Sequence, residues 1–174
     1  VEPTSGNTGV GLAIVAAQRG YDCVFVMTDK VAPEKVSLLK AYGAEVVITP
    51  TAVDPHPQES YYAVSDRLAE QIPGGFKPDQ YSNQANPEAH YKTTAPEIWE
   101  QPAGGQIDAI VISGGTGGTS SGVGRYFKEH RPEVLIVGAG VSAAMIALEL
   151  GLKGKKVLIL EAGAGIPPNN IDFM

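Results

Sequence analysis

The chain has 174 residues, 43% of them apolar and 18% charged, the make-up of a globular protein with material for one domain or parts of two. Its formal net charge of −6 and pI near 5.0 exclude a phosphate-backbone binder, which needs clustered Lys and Arg, so no nucleic-acid partner is expected. The single cysteine, Cys23 in "CVFVM", allows no internal disulfide and reads as a small packed hydrophobe, in keeping with a reducing, cytoplasmic setting.

No apolar run reaches transmembrane length and no signal peptide is visible, so no membrane partner is expected either. The opening "VEPTSGNTG", without an initiator Met, reads as an N-terminal truncation. This loop leads into the small-residue run Val10 to Ala17, which suits a helix packed closely on a sheet, and free N–H groups at such a helix start favour an anion. "CVFVM" then predicts a strand, "APEKVSLLKAYG" a helix opened by Pro33 and closed at Gly43, and "AEVVITP" a second strand. Prolines at 50, 55 and 57 mark a loop before the helix "ESYYAVSDRLAEQI", and "PGGFKP" a turn after it. "AHYKTTAPEIWEQ" is helix-like although Pro96 complicates it. "IDAIVIS" has the continuous apolar character of a buried parallel strand. "SSGVGRYFKEH", "EVLIVG", "SAAMIALELGLKG" and "KKVLILE" continue as helix, strand, helix and strand. The alternation predicts an α/β fold on a mostly parallel sheet, with ligands at the carboxyl ends of the strands.

Two loops stand out. In "TSGNTG", from Thr4 to Gly9, hydroxyls, an amide and backbone N–H groups together suit a carboxylate or a phenolate-like oxygen, and an ordinary capped strand-to-helix turn explains them equally well. "SGGTGGTSSG", from Ser113 to Gly122, joins a strand to a helix. Its glycines at 114, 115, 117 and 118 let a backbone approach a ligand, and Thr116 and Thr119 add hydroxyls, an arrangement that cradles a phosphate without a lysine. No "GK[ST]" follows, so it is not a Walker loop. A plain flexible connection is the alternative.

"VEPTSGNTGVGLA", "EKVSLLKAYGAEVV", "DQYSNQANPEAHYKTTAPEIWEQ" and "GGTGGTSSGVGRYFKEH" together resemble the cystathionine β-synthase and cysteine synthase family of fold-type II pyridoxal-phosphate enzymes. The resemblance runs through about Glu133, and "NPEAHYKTTA" and "HPQES" lean towards the cystathionine β-synthase side. It implies a lyase-type enzyme of amino-acid biosynthesis that binds pyridoxal 5′-phosphate. The reaction is β-replacement on serine or an activated serine, with a thiol taking the place of the β-substituent, and a homodimer is implied as well. By position, Asn7 would bond the cofactor's 3′-oxygen. Thr4, Ser5, Thr8 and Gln80 would hold the substrate carboxylate. Gly115, Thr116, Gly117, Gly118 and Thr119 would hold the cofactor phosphate, and Tyr81 would lie near the reacting face. The family's Schiff-base lysine precedes the "TSGNTG" loop, and no lysine stands before Thr4 in these residues. The expectation is an incomplete catalytic core, inactive as this chain alone, with Lys30, Lys35 and Lys40 on a solvated face.

A third constellation, "VLIVGAGVSAAMIALELGLKGKKVLILEAG", resembles instead the βαβ unit of flavin-dependent oxidoreductases. Gly138 and Gly140 would form the turn, and Glu161 stands about 20 residues further on, where an acid meets a ribose hydroxyl. A βαβ packing unit without ligand weighs equally. The sequence thus predicts a parallel-sheet α/β, fold-type II core over 1–133 that continues into a Rossmann-like βαβ unit over 134–174, with pyridoxal phosphate and possible FAD as cofactors. No metal site is expected. An FAD-dependent oxidoreductase fragment and a non-catalytic chimeric α/β scaffold stay open beside the β-replacement reading.

Overall fold

The computed structural model describes residues 1–4, 6–51, 57–101, 107–139 and 150–160. The chain divides into two compact units, Val1–Asn83 and Gln84–Met174, so the boundary expected after residue 133 falls inside the second.

In the first unit, strand β1 (Glu2–Pro3) leads to helix α1 (Asn7–Arg19), β2 (Val24–Thr28), α2 (Pro33–Ala41), β3 (Glu45–Thr49) and α3 (Tyr61–Gln71). The strands form a parallel sheet in the order β1-β2-β3, with Pro3 opposite Val26 and Val26 opposite Val47. Local chemistry sets the helix ends. Pro33 opens α2 at a position whose N–H would have no partner. Gly20 closes α1 at φ 72°, a left-handed conformation that glycine adopts without strain. The Ser60 hydroxyl caps α3 by accepting the Ala63 N–H at 3.2 Å. Ala13, Phe25, Met27, Leu39 and Ala44 form the core beneath this sheet.

The second unit runs through α4 (Ala85–Lys92), α5 (Thr94–Glu100), β4 (Ala109–Ser113), α6 (Gly118–His130), β5 (Leu135–Ala139) and β6 (Val157–Leu160). The one helix expected around "AHYKTTAPEIWEQ" is two. Pro96 would clash with the carbonyl four residues back in a continuous helix, so the chain breaks at Thr93 (φ −122°, ψ −70°) and Pro96 takes its place in the first turn of α5. The helix expected over "SAAMIALELGLKG" lies mostly outside the described residues; 150–152 are helical.

Strand order is β5-β4-β6, all parallel. Ala109, Ile110, Val111 and Ile112 are all at least 98% buried, as befits the central strand of a parallel sheet covered on both faces. This order differs from the dinucleotide unit expected at 134–174. There the two strands of the glycine turn are neighbours, which brings the acidic residue beside the turn; here β4 stands between β5 and β6. Gly138 lies in β5, whereas Gly140 and Glu161 lie outside the described residues.

Among the described residues no helix is long and apolar enough to cross a membrane.

Candidate functional site

The "TSGNTG" loop is built from β1 outward. Thr4 continues the pairing of β1 by donating its N–H to the Val26 carbonyl at 3.0 Å. It is 3% exposed, and its hydroxyl accepts the Gly6 N–H at 3.3 Å. Asn7 and Thr8 follow in the first turn of α1 and are exposed. Ser5 lies outside the described residues. Gly9 is required by its neighbour: a Cβ there would stand 2.7 Å from the Thr4 methyl.

Gln80, 76 positions beyond Thr4 in the chain, is drawn to the same strand. Its side-chain amide donates to the Pro3 carbonyl at 3.0 Å. The carboxylate of Glu2, 1% exposed, accepts the backbone N–H of Asp79 at 2.7 Å and that of Gln80 at 2.9 Å. Asp79 stands at φ 53°, and the two bonds from Glu2 hold this tight turn in place. Glu2 was not singled out in the sequence; an acid beside a β-strand start was its only trace.

Tyr81 follows directly and is 43% exposed. Its hydroxyl lies 3.0 Å from that of Tyr61, and its ring meets Tyr62 edge-on at 5.1 Å. Burial pushes both the Tyr61 and the Tyr81 phenol above the ordinary tyrosine value. Both are therefore neutral hydroxyls at physiological pH rather than phenolate bases. Lys35, expected on a solvated face, is exposed, yet its ammonium lies 3.2 Å from where a Cβ on Gly6 would be. Cys23 packs partly buried against the first core, and burial raises its thiol above the usual value, which keeps it in the unreactive protonated form.

In the second unit the glycine-rich turn joins the end of β4 to the start of α6, and its glycines do two kinds of work. Gly117 sits at φ 81° and caps α6, a conformation that strains any side chain. A Cβ on Gly114, Gly115 or Gly117 would meet nothing within 4 Å, so the turn is open on that side. Gly118 and Gly122, one turn apart on α6, are instead covered by α4. A Cβ on Gly118 would lie 2.0 Å from the Asn86 amide oxygen, and one on Gly122 would lie 2.3 Å from the Pro87 carbonyl.

That close approach brings two side chains of α4 onto the turn. Asn86 donates from Nδ2 to the Thr116 hydroxyl at 2.9 Å, which also accepts the Gly118 N–H at 3.4 Å. His90 Nε2 lies 3.1 Å from the Thr119 hydroxyl, and its Nδ1 lies 2.9 Å from that of Thr94. Burial lowers the His90 imidazole below its ordinary value. Open space over glycines, hydroxyls and the start of a thirteen-residue helix fit the phosphate of pyridoxal phosphate. Among the described residues no group of three or more His, Cys, Asp and Glu is placed to hold a metal ion.

A parallel α/β architecture with an open, hydroxyl-lined turn at a strand's carboxyl end defines a class of phosphate-cofactor proteins, and comparison with known proteins gives the family. The model of the pyridoxal-phosphate dependent enzymes matches residues 1–170, and the chain belongs to that family. It is 50% identical over 137 residues to cystathionine beta-synthase of Apis mellifera, covering 79% of this chain and 27% of that protein. It is 44% identical over 170 residues to a probable cysteine synthase of Bacillus subtilis, covering 97% of this chain and 53% of that one. The chain thus spans between about a quarter and about half the length of these relatives. Among solved structures, O-ureido-L-serine synthase superposes with a TM-score of 0.72 at 35% identity, over 92% of this chain and 56% of that one. The family match runs unbroken through the segment read as a flavin unit, and the comparisons lend FAD no support.

Proposed function

We propose that the chain is an incomplete catalytic core, without the Schiff-base lysine, for pyridoxal-phosphate-dependent β-replacement on serine or an activated serine. The observation that carries this is the pairing of an open, hydroxyl-lined phosphate turn with a family match to enzymes named for cystathionine, cysteine and O-ureido-L-serine. These three compounds share an alanine skeleton substituted at Cβ.

When bound, the cofactor supplies an electron sink for charge that develops at the amino acid's Cα. The chain's own residues bind and orient. Gly115 to Thr119 hold the phosphate, and the Asn7 amide meets the ring oxygen. Thr4, Ser5, Thr8 and Gln80 hold the substrate carboxylate, Gln80 being kept in place by Glu2 and Pro3. Tyr81, a neutral hydroxyl supported by Tyr61, stands at the reacting face as a hydrogen-bonding group. Self-association into a homodimer belongs to the same reading, and light scattering at micromolar concentration tests it.

The binding reading is tested by calorimetric titration with two stable adducts, N-(5′-phosphopyridoxyl)-L-serine and its ethanolamine counterpart, which lacks the carboxylate. The serine adduct should bind at least tenfold more tightly, and Gln80→Ala should erase most of that difference. Equal affinities of the two adducts for the unmodified chain would overturn the assignment of a substrate carboxylate site.

A further inference from the structure

We propose that Asn86 and His90 are positioning residues of the phosphate turn: from one face of α4 they donate to Thr116 and Thr119, so that both hydroxyl protons are left to point at the anion. This rests on the reading that the turn takes a phosphate monoester.

A hydroxyl carries one proton and two acceptor lone pairs, and it rotates to suit its partners. Facing an anion, it helps only if its proton is directed there; a neighbour that accepts that proton would turn the oxygen lone pairs towards the ligand and repel it. At Thr116 both acceptor positions are taken, by Asn86 Nδ2 at 2.9 Å and by the Gly118 N–H at 3.4 Å. What remains is the donor.

At Thr119 the outcome depends on the His90 tautomer. With the proton on Nε2, the ring donates to Thr119, whose own proton then goes to the ligand, while Nδ1 accepts the Thr94 hydroxyl. With the proton on Nδ1, the ring takes the Thr119 proton and the ligand loses a donor. An anion in the turn therefore selects the Nε2–H form, and Thr94 is the group that makes this form comfortable. The fold has been shaped for the contact. Gly122 has no Cβ because His90 Cβ would be 2.7 Å from it, and Gly118 has none because Asn86 occupies that space. Asn86 and His90 are four residues apart and so share a helix face, in the same register as Gly118 and Gly122 on α6.

The test measures affinities for pyridoxal phosphate and for pyridoxal, which lacks the phosphate. His90→Leu and Asn86→Leu should each weaken pyridoxal phosphate about tenfold and leave pyridoxal unchanged. His90→Gln, whose amide nitrogen replaces Nε2 as donor, should stay within about threefold of the original. Asn86→Asp should do more harm than Asn86→Leu, because its carboxylate both takes the Thr116 proton and adds a negative charge. The unaltered chain supplies an independent reading: the nitrogen-15 shifts of His90 should report the Nε2–H tautomer when pyridoxal phosphate is saturating. An Nδ1–H tautomer under those conditions, or leucine variants that bind pyridoxal phosphate as before, would overturn the positioning role alone. Equal affinity of the unaltered chain for pyridoxal phosphate and pyridoxal would overturn the phosphate reading, and the positioning role with it.

Discussion

The side-chain amide of Gln80 donates to the Pro3 carbonyl at 3.0 Å although 77 residues separate the two. The neighbouring Glu2 carboxylate, accepting the N–H groups of Asp79 and Gln80, completes this tie between β1 and the turn before Tyr81. A hydrogen bond to a charged group contributes roughly 1.5–3 kcal/mol, and Glu2→Ala removes two that are part-buried. Urea unfolding should therefore show a loss of about 2–5 kcal/mol for Glu2→Ala. Glu2→Gln, which keeps one acceptor oxygen, should lose distinctly less, and equal losses would refute the account.

The glycines of the second unit should separate by the work each does. Gly122→Ala drives a methyl to 2.3 Å from the Pro87 backbone oxygen, which can yield only if α4 moves, so a loss of about 1–3 kcal/mol or more is expected. Gly117→Ala, at φ 81°, should cost about 1–2 kcal/mol through backbone strain. Gly115→Ala meets no atom within 4 Å and should leave stability within ~0.5 kcal/mol, yet it should weaken pyridoxal phosphate by occupying the space the anion needs. A Gly115→Ala variant that binds as before would place the phosphate elsewhere.

Burial of His90 makes the ligand-free chain sensitive to mild acid. Its folded-state value is depressed, whereas an unfolded histidine titrates near ~6.5. Between the two values the unfolded chain binds more protons, so stability there rises with pH. It should therefore fall as pH drops through ~6.5, and this contribution should stop changing below the depressed folded value. Asp29, bonded to Thr51, Glu88, bonded to Arg125, and Glu133, bonded to Arg131, are all held below the ordinary carboxylate range, so their contributions persist to lower pH. The urea midpoint should drop between roughly pH 7.5 and 5.5, and His90→Gln should flatten that slope. An unchanged slope in the variant would remove His90 as its source.

Position within the second sheet should decide the cost of trimming a side chain. Ile110, fully buried in the central β4, should lose about 2–5 kcal/mol when changed to Ala. Leu135, 53% exposed on the flanking β5, should lose less than ~1 kcal/mol. Similar unfolding midpoints for the two variants would contradict the order β5-β4-β6.

Where a feature depends on a residue and its near neighbours, the sequence by itself determined it. Pro33 at a helix start, the left-handed glycines at 20 and 117, the Ser60 cap and the doubly buried "AIVI" run all follow from backbone sterics or hydrophobic pattern. The same local chemistry marked the two loops, because glycines beside hydroxyls are costly unless a ligand or a turn requires them. Pro96 announced a disturbance, but whether it would end a helix or begin one depended on its neighbours' placement. Only the tertiary structure decided which strands are adjacent: "VLIVGAG" and "KKVLILE" look like neighbours in a dinucleotide unit, and β4 took the place between them, a choice that the apolar character common to all three strands could not reveal. Glu2, Asn86 and His90 were likewise silent in the sequence. Each acts on a partner 29 to 78 positions away, and a hydrogen bond across such a distance leaves no periodicity or spacing to read, because it exists only once packed helices and paired strands have brought its two ends together.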